Sequence, residues 1–113
     1  MFNFFRAQLQ HDDITPLEVQ RRLTQGERLY LLDVREREEY AEAHIPNSVL
    51  IPLGQLSRKL SSIPKDATII AICRSGNRSG VAADLLRRAG YSTVLNLRGG
   101  IIAWARAGLP LVM

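Results

Sequence analysis

Residues 68–80 have the sequence TIIAICRSGNRSG, and this stretch decides the fold. Thr68–Cys73 is apolar at almost every position, without the polar alternation of a strand that faces water on one side. Such a run is typical of a strand covered on both faces, as in a parallel sheet. Apolar residues at helical intervals then predict a helix over 79–89, which Gly90 ends. The stretch therefore predicts a buried strand joined by a tight loop to a helix.

Strands and helices alternate along the rest of the chain. Strands are predicted over 29–34, 48–51 and 92–95, and further helices over 16–25, 36–42, 53–60 and 100–106. Short strands that alternate with helices indicate a mostly parallel sheet with helices on both faces. The sequence has no internal repeat and no linker. We therefore expect an α/β fold of three layers, α/β/α, in a single domain over residues 13–113.

The composition favours a globular domain and argues against two other classes of protein. The 113 residues are 46% hydrophobic and 23% charged, which is ordinary for one soluble domain. No apolar run approaches the roughly 18–20 residues of a membrane-spanning helix, so no transmembrane segment is predicted. The formal net charge is +4, but the basic residues are interleaved with acids and form no basic run. We expect no nucleic-acid partner and a mild preference for anions.

Cys73 is the single cysteine of the sequence. The chain can therefore form neither an internal disulfide, nor a Cys-x-x-Cys redox pair, nor a multi-cysteine zinc site, and we expect no metal and no cofactor. A small domain without disulfides is typical of the cytoplasm. The N-terminus also lacks the basic start and the long apolar core of a signal peptide. The sequence thus predicts a cytoplasmic location.

Residues 1–12 are set apart by their aromatic content. All three phenylalanines of the chain, Phe2, Phe4 and Phe5, fall within this segment. We interpret it as an N-terminal extension whose rings pack on the domain. Two other interpretations stay open, an oligomer contact and a weak contact with a membrane, because exposed apolar clusters usually have a partner.

The loop after the buried strand carries groups that can activate a thiol. Cys73, at the end of the strand, would face the free N–H groups and the positive dipole end of the following helix. Arg74 and Arg78 add two positive charges nearby. All three effects favour the thiolate, which is the nucleophilic form of cysteine.

Gly76 and Asn77 indicate the shape of this loop. Both residue types tolerate positive φ better than most others, so successive N–H groups can point inward as an anion-binding nest. A free cysteine that ends a strand is more often a small buried core residue. The two arginines and the Gly-Asn turn favour a functional loop instead, because a purely structural junction needs no concentrated positive charge.

Together these residues resemble a known family, the single-domain rhodaneses. The active-site loop of that family resembles Cys73–Ser79; its first signature resembles Leu31–Glu36, Glu39–Tyr40 and His44–Ser48; its C-terminal signature resembles Leu97–Gly100, Trp104 and Gly108–Pro110. The three motifs occur in order and span roughly residues 14–112. Two positions depart from the pattern, since Ala43 and Asn47 stand where the family often has glycine.

The resemblance implies a rhodanese-like fold with a central five-stranded sheet and a thiosulfate sulfurtransferase activity. Cys73 would be the catalytic nucleophile, which takes sulfur from thiosulfate or a persulfide donor and holds it as a persulfide. Cyanide, a small thiol or a thiol-bearing protein would then accept the sulfur. The substrate-binding residues would be the rest of the loop: Arg74, Ser75, Gly76, Asn77, Arg78 and Ser79.

Other residues of these motifs are interpreted as structural. Asp33 and Arg35 follow a buried strand and are expected to pair or to cap the backbone. His44 is expected to hydrogen-bond the turn that follows it, and Trp104 to close the core. The short acidic helix is expected to present a solvated face of carboxylates: Glu36, Glu38, Glu39 and Glu42.

Two alternative functions stay open. A cysteine phosphatase or arsenate reductase has a similar loop, but its Cys-x5-Arg spacing is one residue longer than the spacing from Cys73 to Arg78. The shorter loop makes a smaller cup, which favours one extra sulfur atom over a phosphate group. The second alternative is a non-catalytic or sulfur-carrier interaction module, which the Phe-rich N-terminus favours.

Overall fold

Five parallel strands form the centre of the structure, a computed structural model that describes residues 12–113. The Phe-rich segment and its predicted packing lie outside the described residues, except for Asp12. The strands are β1 (Asp13–Ile14), β2 (Tyr30–Asp33), β3 (Val49–Leu50), β4 (Thr68–Ile72) and β5 (Thr93–Leu97). Their order in the sheet is β1-β5-β4-β2-β3, and every neighbouring pair is parallel. The prediction of a mostly parallel, five-stranded sheet is confirmed.

Helices cover both faces of this sheet. They are α1 (Pro16–Thr24), α2 (Arg37–Glu42), α3 (Asn77–Arg88) and α4 (Gly100–Arg106). On one face, Leu86 of α3 and Ile69 of β4 belong to the same buried core cluster. On the other face, Val19 of α1 and Trp104 of α4 pack in a second cluster with Ile70 of β4. The three-layer α/β/α arrangement is therefore confirmed, and Trp104 lies in the core as predicted. Within residues 12–113, none of the helices has the length and apolar character needed to cross a membrane.

Two predicted helices differ from the structure. Residues 53–60 form two 3₁₀ helices, Leu53–Arg58 and Leu60–Ser62, where one longer helix was predicted. Glycine and serine in this stretch have weak helix propensity, and 3₁₀ structure is common in short connecting pieces. α3 begins at Asn77, two residues before the predicted start, so Asn77 and Arg78 belong to its first turn. The loop after Cys73 is correspondingly shorter.

Strand β1 is the strand that the sequence pattern did not reveal. It has only two residues, of which Ile14 is buried. A run this short has no alternation that a sequence pattern can detect. It pairs with Asn96 and Leu97 of β5 and so places Asp13 beside the end of that strand.

The turn after α2 holds the two positions where the sequence departs from the rhodanese pattern. Asn47 has a φ of 67°, so asparagine supplies the left-handed conformation for which glycine is usually needed. Ala43 has a φ of −166°, an extended conformation that needs no glycine. His44 Nδ1 lies 2.8 Å from the carbonyl oxygen of Tyr40, and the two rings stack. The His44 side chain thus bonds back to α2, and the prediction that it hydrogen-bonds the turn after it is wrong, because Tyr40 offers the ring both a stacking partner and an acceptor.

Candidate active site

Cys73 directly follows the central strand β4, and the chain turns at Gly76 into α3. Gly76 has a φ of 113°, a left-handed conformation in which a side chain would be strained. This turn brings the N–H of Gly76 to 3.0 Å from Sγ of Cys73. The structure therefore places the predicted nucleophile at a strand–helix junction, with a backbone donor directed at its sulfur.

Ser79 supplies a second donor to the same sulfur. Its side chain is fully buried in the first turn of α3, and its Oγ lies 3.2 Å from Sγ of Cys73. The same Oγ contacts Oδ1 of Asn96. Because a hydroxyl has one proton, Ser79 donates to only one of these two acceptors at a time.

Asn96 on β5 is a site residue that the sequence analysis missed. Its Nδ2 donates to the carbonyl oxygen of Gly76 at 3.2 Å, and its Oδ1 contacts Ser79. Asn96 thus holds the turn at Gly76, and its Oδ1 is the alternative acceptor for the proton that Ser79 can donate to Cys73. The available signal was a lone amide within an apolar strand, between Leu95 and Leu97, where a polar side chain needs a partner.

These contacts decide the protonation state of the thiol. Burial raises the pKa of the Cys73 thiol and is the largest single influence on it. The Ser79 hydroxyl and the backbone N–H groups of Ser79, Gly76 and Ser75 act in the opposite direction and together outweigh burial. The pKa of Cys73 is therefore lowered from its usual value, because hydrogen bonds to sulfur favour the charged form. The thiolate fraction at neutral pH rises accordingly.

The predicted site residues differ in how close they come to the sulfur. Gly76 and Ser79 contact Sγ directly, whereas Arg74, Ser75 and Asn77 are exposed at the protein surface. Cys73 itself is only 1% exposed. Cys73 is therefore almost completely covered by the residues around it.

Arg78 is not a free positive charge beside Cys73, in contrast to the prediction. Its guanidinium binds the carboxylate of Glu39, on α2, through two hydrogen bonds of 2.7 and 2.8 Å. The expectation that Glu39 belongs to a solvated face is therefore wrong, although Glu36, Glu38 and Glu42 are exposed as expected. The hydrogen bonds from Arg78 lower the pKa of Glu39 to about 2.

Few charged groups of the loop are without an ion-pair partner. In the part of the chain that the structure describes, Arg78 is paired and Arg74 takes part in no ion pair. The thiolate of Cys73 and the guanidinium of Arg74 are thus the uncompensated charges of the loop.

Residues 12–113 contain no cluster of three histidine, cysteine or carboxylate side chains that could hold a metal ion.

The N-terminus of α4 fixes the loop from the other side. The N–H of Ile101 donates to the carbonyl oxygen of Cys73 at 2.9 Å, and that of Ile102 to the carbonyl oxygen of Arg74 at 3.1 Å. Gly100 permits this approach, because it has a φ of 59° and a Cβ there would overlap the two carbonyl groups. The carbonyl oxygens of Cys73 and Arg74 are therefore engaged by α4, while the N–H of Gly76 is directed at the sulfur.

Asp33 and Arg35 form a buried pair, in line with the structural role expected for them. Asp33 is 0% exposed and Arg35 is 5% exposed. Arg35 Nη2 donates to Asp33 Oδ2 at 2.8 Å and to the carbonyl oxygen of Ala43 at 2.7 Å. The pair thereby ties the end of β2 to the end of α2, the helix that carries Glu39.

Ser79→Ala is expected to raise the pKa of Cys73, because it removes a hydroxyl that favours the thiolate. Alkylation by iodoacetamide should slow roughly tenfold at a pH below the pKa of the wild-type thiol, given the usual energy of a hydrogen bond to a charged group. The midpoint of the rate profile should move to higher pH. The measurement is the alkylation rate as a function of pH.

Ser75→Ala is the matched control, since it deletes an exposed hydroxyl from the same loop and keeps the backbone N–H. Its profile should match that of the wild type. Arg78→Ala should move the midpoint less than Ser79→Ala does, because Glu39 already compensates the charge of Arg78. A Ser79→Ala profile that overlays the wild-type profile would contradict the role given to the hydroxyl.

Comparisons with known proteins place this geometry in a family. The family model described as Rhodanese-like domain matches residues 15–107. A protein named Sulfurtransferase from Allochromatium vinosum is 44% identical over 101 residues, which make up 89% of this chain and 94% of that protein. The resemblance noted in the sequence is thereby confirmed.

Solved structures have the same fold. A rhodanese-related protein from Thermoplasma volcanium has a TM-score of 0.82 at 31% identity, over 88% of this chain and 96% of that chain. A thiosulfate sulfurtransferase from Pseudomonas aeruginosa has a TM-score of 0.78 at 33% identity, over 87% of this chain but only 19% of that longer chain. With a family model that matches most of its length and a close relative of nearly the same extent, the chain belongs to the rhodanese-like domain family.

Proposed function

We propose that the chain is a sulfurtransferase that carries a sulfane sulfur on Cys73 as a persulfide. The observation that best supports this is the set of donors around Sγ, where the Gly76 N–H and the Ser79 hydroxyl point at one buried sulfur. Donors directed at Sγ stabilise the thiolate, which is the form of Cys73 that attacks a sulfur donor. The name of the Allochromatium vinosum relative, Sulfurtransferase, supports the same class of reaction.

In the first half-reaction, the Cys73 thiolate attacks the outer sulfur of thiosulfate. A new S–S bond forms to Cys73, and the S–S bond of thiosulfate breaks, with its electron pair leaving on sulfite. Charge is conserved, because a thiolate and a dianion give a persulfide anion and a dianion. No proton moves in this step, so a thiol with a lowered pKa needs no general base.

In the second half-reaction, an acceptor attacks the outer sulfur of the persulfide and releases the Cys73 thiolate. Cyanide would give thiocyanate, and a thiolate would give a new persulfide. The 113 residues contain no second cysteine, so the acceptor comes from outside them. We propose small thiols or a thiol-bearing protein as acceptors in the cell.

Arg74 is the proposed electrostatic contact for the donor. It is exposed next to Cys73 and has no ion pair within residues 12–113. Its charge attracts an anionic donor to the loop. Ser75, Gly76 and Asn77 follow in the same loop, and we propose that they also contact the substrate.

The geometry argues against a phosphatase or an arsenate reductase. A tetrahedral oxyanion needs a cup wide enough for its oxygens and an arginine directed at them. Here the loop arginine, Arg78, binds Glu39 and is not free to contact such oxygens. Hydrolysis of an aryl phosphate that depends on Cys73 would contradict this argument.

Intact-mass spectrometry tests the proposed intermediate directly. Treatment with thiosulfate should raise the mass of the protein by one sulfur atom, and a reducing thiol should reverse the change. The Cys73→Ser variant, treated in the same way, should keep its mass. Identical masses for treated and untreated wild-type protein would contradict the proposal.

Kinetics after loading distinguish an enzyme from a sulfur carrier. An enzyme should return to its original mass with cyanide and produce thiocyanate over many turnovers. A carrier should take up the sulfur but fail to turn over with small acceptors. Loading without turnover would therefore support the sulfur-carrier alternative over the enzyme.

A further inference from the structure

Glu39 and Arg78 join the helix that follows β2 to the helix that carries the active-site loop. The two side chains meet through a pair of parallel hydrogen bonds, 2.7 and 2.8 Å long. Both are partly shielded, with side-chain exposures of 28% for Glu39 and 35% for Arg78. This two-point geometry is the strong form of an arginine–carboxylate contact.

The carboxylate of Glu39 is also held by its own helix. Its Oε1 accepts a hydrogen bond from the backbone N–H of Glu36 at 2.8 Å, as part of a capping box at the start of α2. Three hydrogen bonds therefore fix one carboxylate. Glu39 stays ionised at any pH at which the protein is used, since its pKa is about 2.

This fixed carboxylate changes the electrostatics of the loop. The sequence places two arginines near Cys73. The guanidinium of Arg78, however, binds Glu39, and this carboxylate compensates its charge. Within residues 12–113, Arg74 is the loop cation that has no such partner. The surroundings of Cys73 are thus less positive than the loop sequence alone would make them, and a second negative charge on a reactant is stabilised less there.

We propose that Glu39 is a specificity-determining residue, which by engaging Arg78 lowers the preference of the site for doubly charged sulfur donors relative to singly charged ones. The proposal rests on the proposed function, because it concerns the donor of the same reaction. It predicts that the wild-type site prefers dianionic donors less strongly than a site with two uncompensated arginines would.

Two donors of different charge provide the test. Thiosulfate is a dianion and methanethiosulfonate a monoanion, and in both the Cys73 thiolate attacks the outer sulfur. The S–S bond of the donor breaks, and its electron pair leaves on sulfite or on methanesulfinate. Each reaction forms the same persulfide and conserves charge. The ratio of kcat/KM for thiosulfate to kcat/KM for methanethiosulfonate therefore reports the preference for the second charge.

Glu39→Gln is the informative variant, because glutamine can keep the hydrogen bond to Glu36 while losing the charge. The ratio of kcat/KM for thiosulfate to kcat/KM for methanethiosulfonate should rise roughly threefold at low ionic strength. This rise should be smaller in high salt. Glu38→Gln is the matched control, since it removes an exposed charge from the same helix turn. Its ratio should equal that of the wild type. An unchanged ratio in Glu39→Gln would overturn the proposal.

A double variant keeps the proposal testable even if Glu39→Gln folds poorly with Arg78 uncompensated. Glu39→Gln/Arg78→Gln removes both charges, so its ratio should stay within about twofold of the wild-type ratio. A ratio several-fold below wild type would mean that Arg78 assists dianions despite its partner, and the proposal would fail.

Alkylation provides a readout that does not depend on sulfur transfer. Iodoacetate is an anion and iodoacetamide is neutral, and both lose iodide to the Cys73 thiolate. The iodoacetate-to-iodoacetamide rate ratio should rise in Glu39→Gln by a similar factor and stay constant in Glu38→Gln. Wild-type protein without sulfurtransferase activity would contradict the proposed function but leave this test of Glu39 intact. Wild-type sulfur transfer with both ratios unchanged in Glu39→Gln would refute the role of Glu39 alone.

Discussion

Serine in place of Cys73 is expected to abolish sulfur transfer from thiosulfate to cyanide, with a loss in rate of roughly a thousandfold or more. A serine hydroxyl stays protonated near neutral pH and forms no persulfide, so the two half-reactions lose the atom that connects them. The Gly76 N–H and the Ser79 side chain remain available to the serine oxygen. The fold should therefore persist. The measurement is steady-state formation of thiocyanate.

The folded state of Cys73→Ser needs its own control, because Cys73 is also a buried core residue. Circular dichroism and chemical unfolding should give a native spectrum and a free energy of unfolding within about 2 kcal/mol of the wild-type value. A folded variant that forms thiocyanate at the wild-type rate would reduce Cys73 to a packing role. That outcome would end the sulfurtransferase proposal.

Asp33→Ala is expected to lower the free energy of unfolding by about 3–5 kcal/mol, because it leaves the buried guanidinium of Arg35 without its counter-charge. Arg35 would keep its hydrogen bond to the carbonyl oxygen of Ala43, but a neutral carbonyl does not offset a buried charge. The measurement is unfolding in urea or guanidinium chloride, with the midpoint and the slope fitted separately.

Asp84→Ala is the matched control for this stability prediction. It breaks the ion pair with Arg88 on the surface of α3, where both side chains are more than half exposed. Exposed pairs contribute little, so the free energy of unfolding should fall by less than about 1 kcal/mol. Equal losses in Asp33→Ala and Asp84→Ala would mean that burial of the first pair has no special weight.

The elements nearest the sulfur could be predicted because their patterns are local. The uninterrupted apolar run of β4 and the helical spacing of α3 both lie within 15 residues of Cys73. Gly76 indicated a turn with positive φ, and in the structure this residue has a φ of 113°. Short-range sequence information was sufficient for these features.

The contacts that complete the site could not be predicted, because they join residues that are distant in the sequence. Glu39 and Arg78 are 39 positions apart, and Ser79 and Asn96 are 17 apart. A glutamate on a polar helix has the same local pattern whether it faces water or an arginine of another helix. Strand β1 could not be predicted for a different reason, since its two residues form a strand only by pairing with β5.

The amides of α4 that bind the loop have a consequence for the reaction cycle. Because the carbonyl oxygens of Cys73 and Arg74 accept hydrogen bonds from Ile101 and Ile102, these two peptide groups are held with their oxygens directed at α4. The polarity around the sulfur then stays the same in the loaded and the unloaded protein, and little reorganisation energy is needed as negative charge moves outward by one atom. We therefore expect the rate of the catalytic cycle to be limited by the concentrations of donor and acceptor, and not by a motion of the protein.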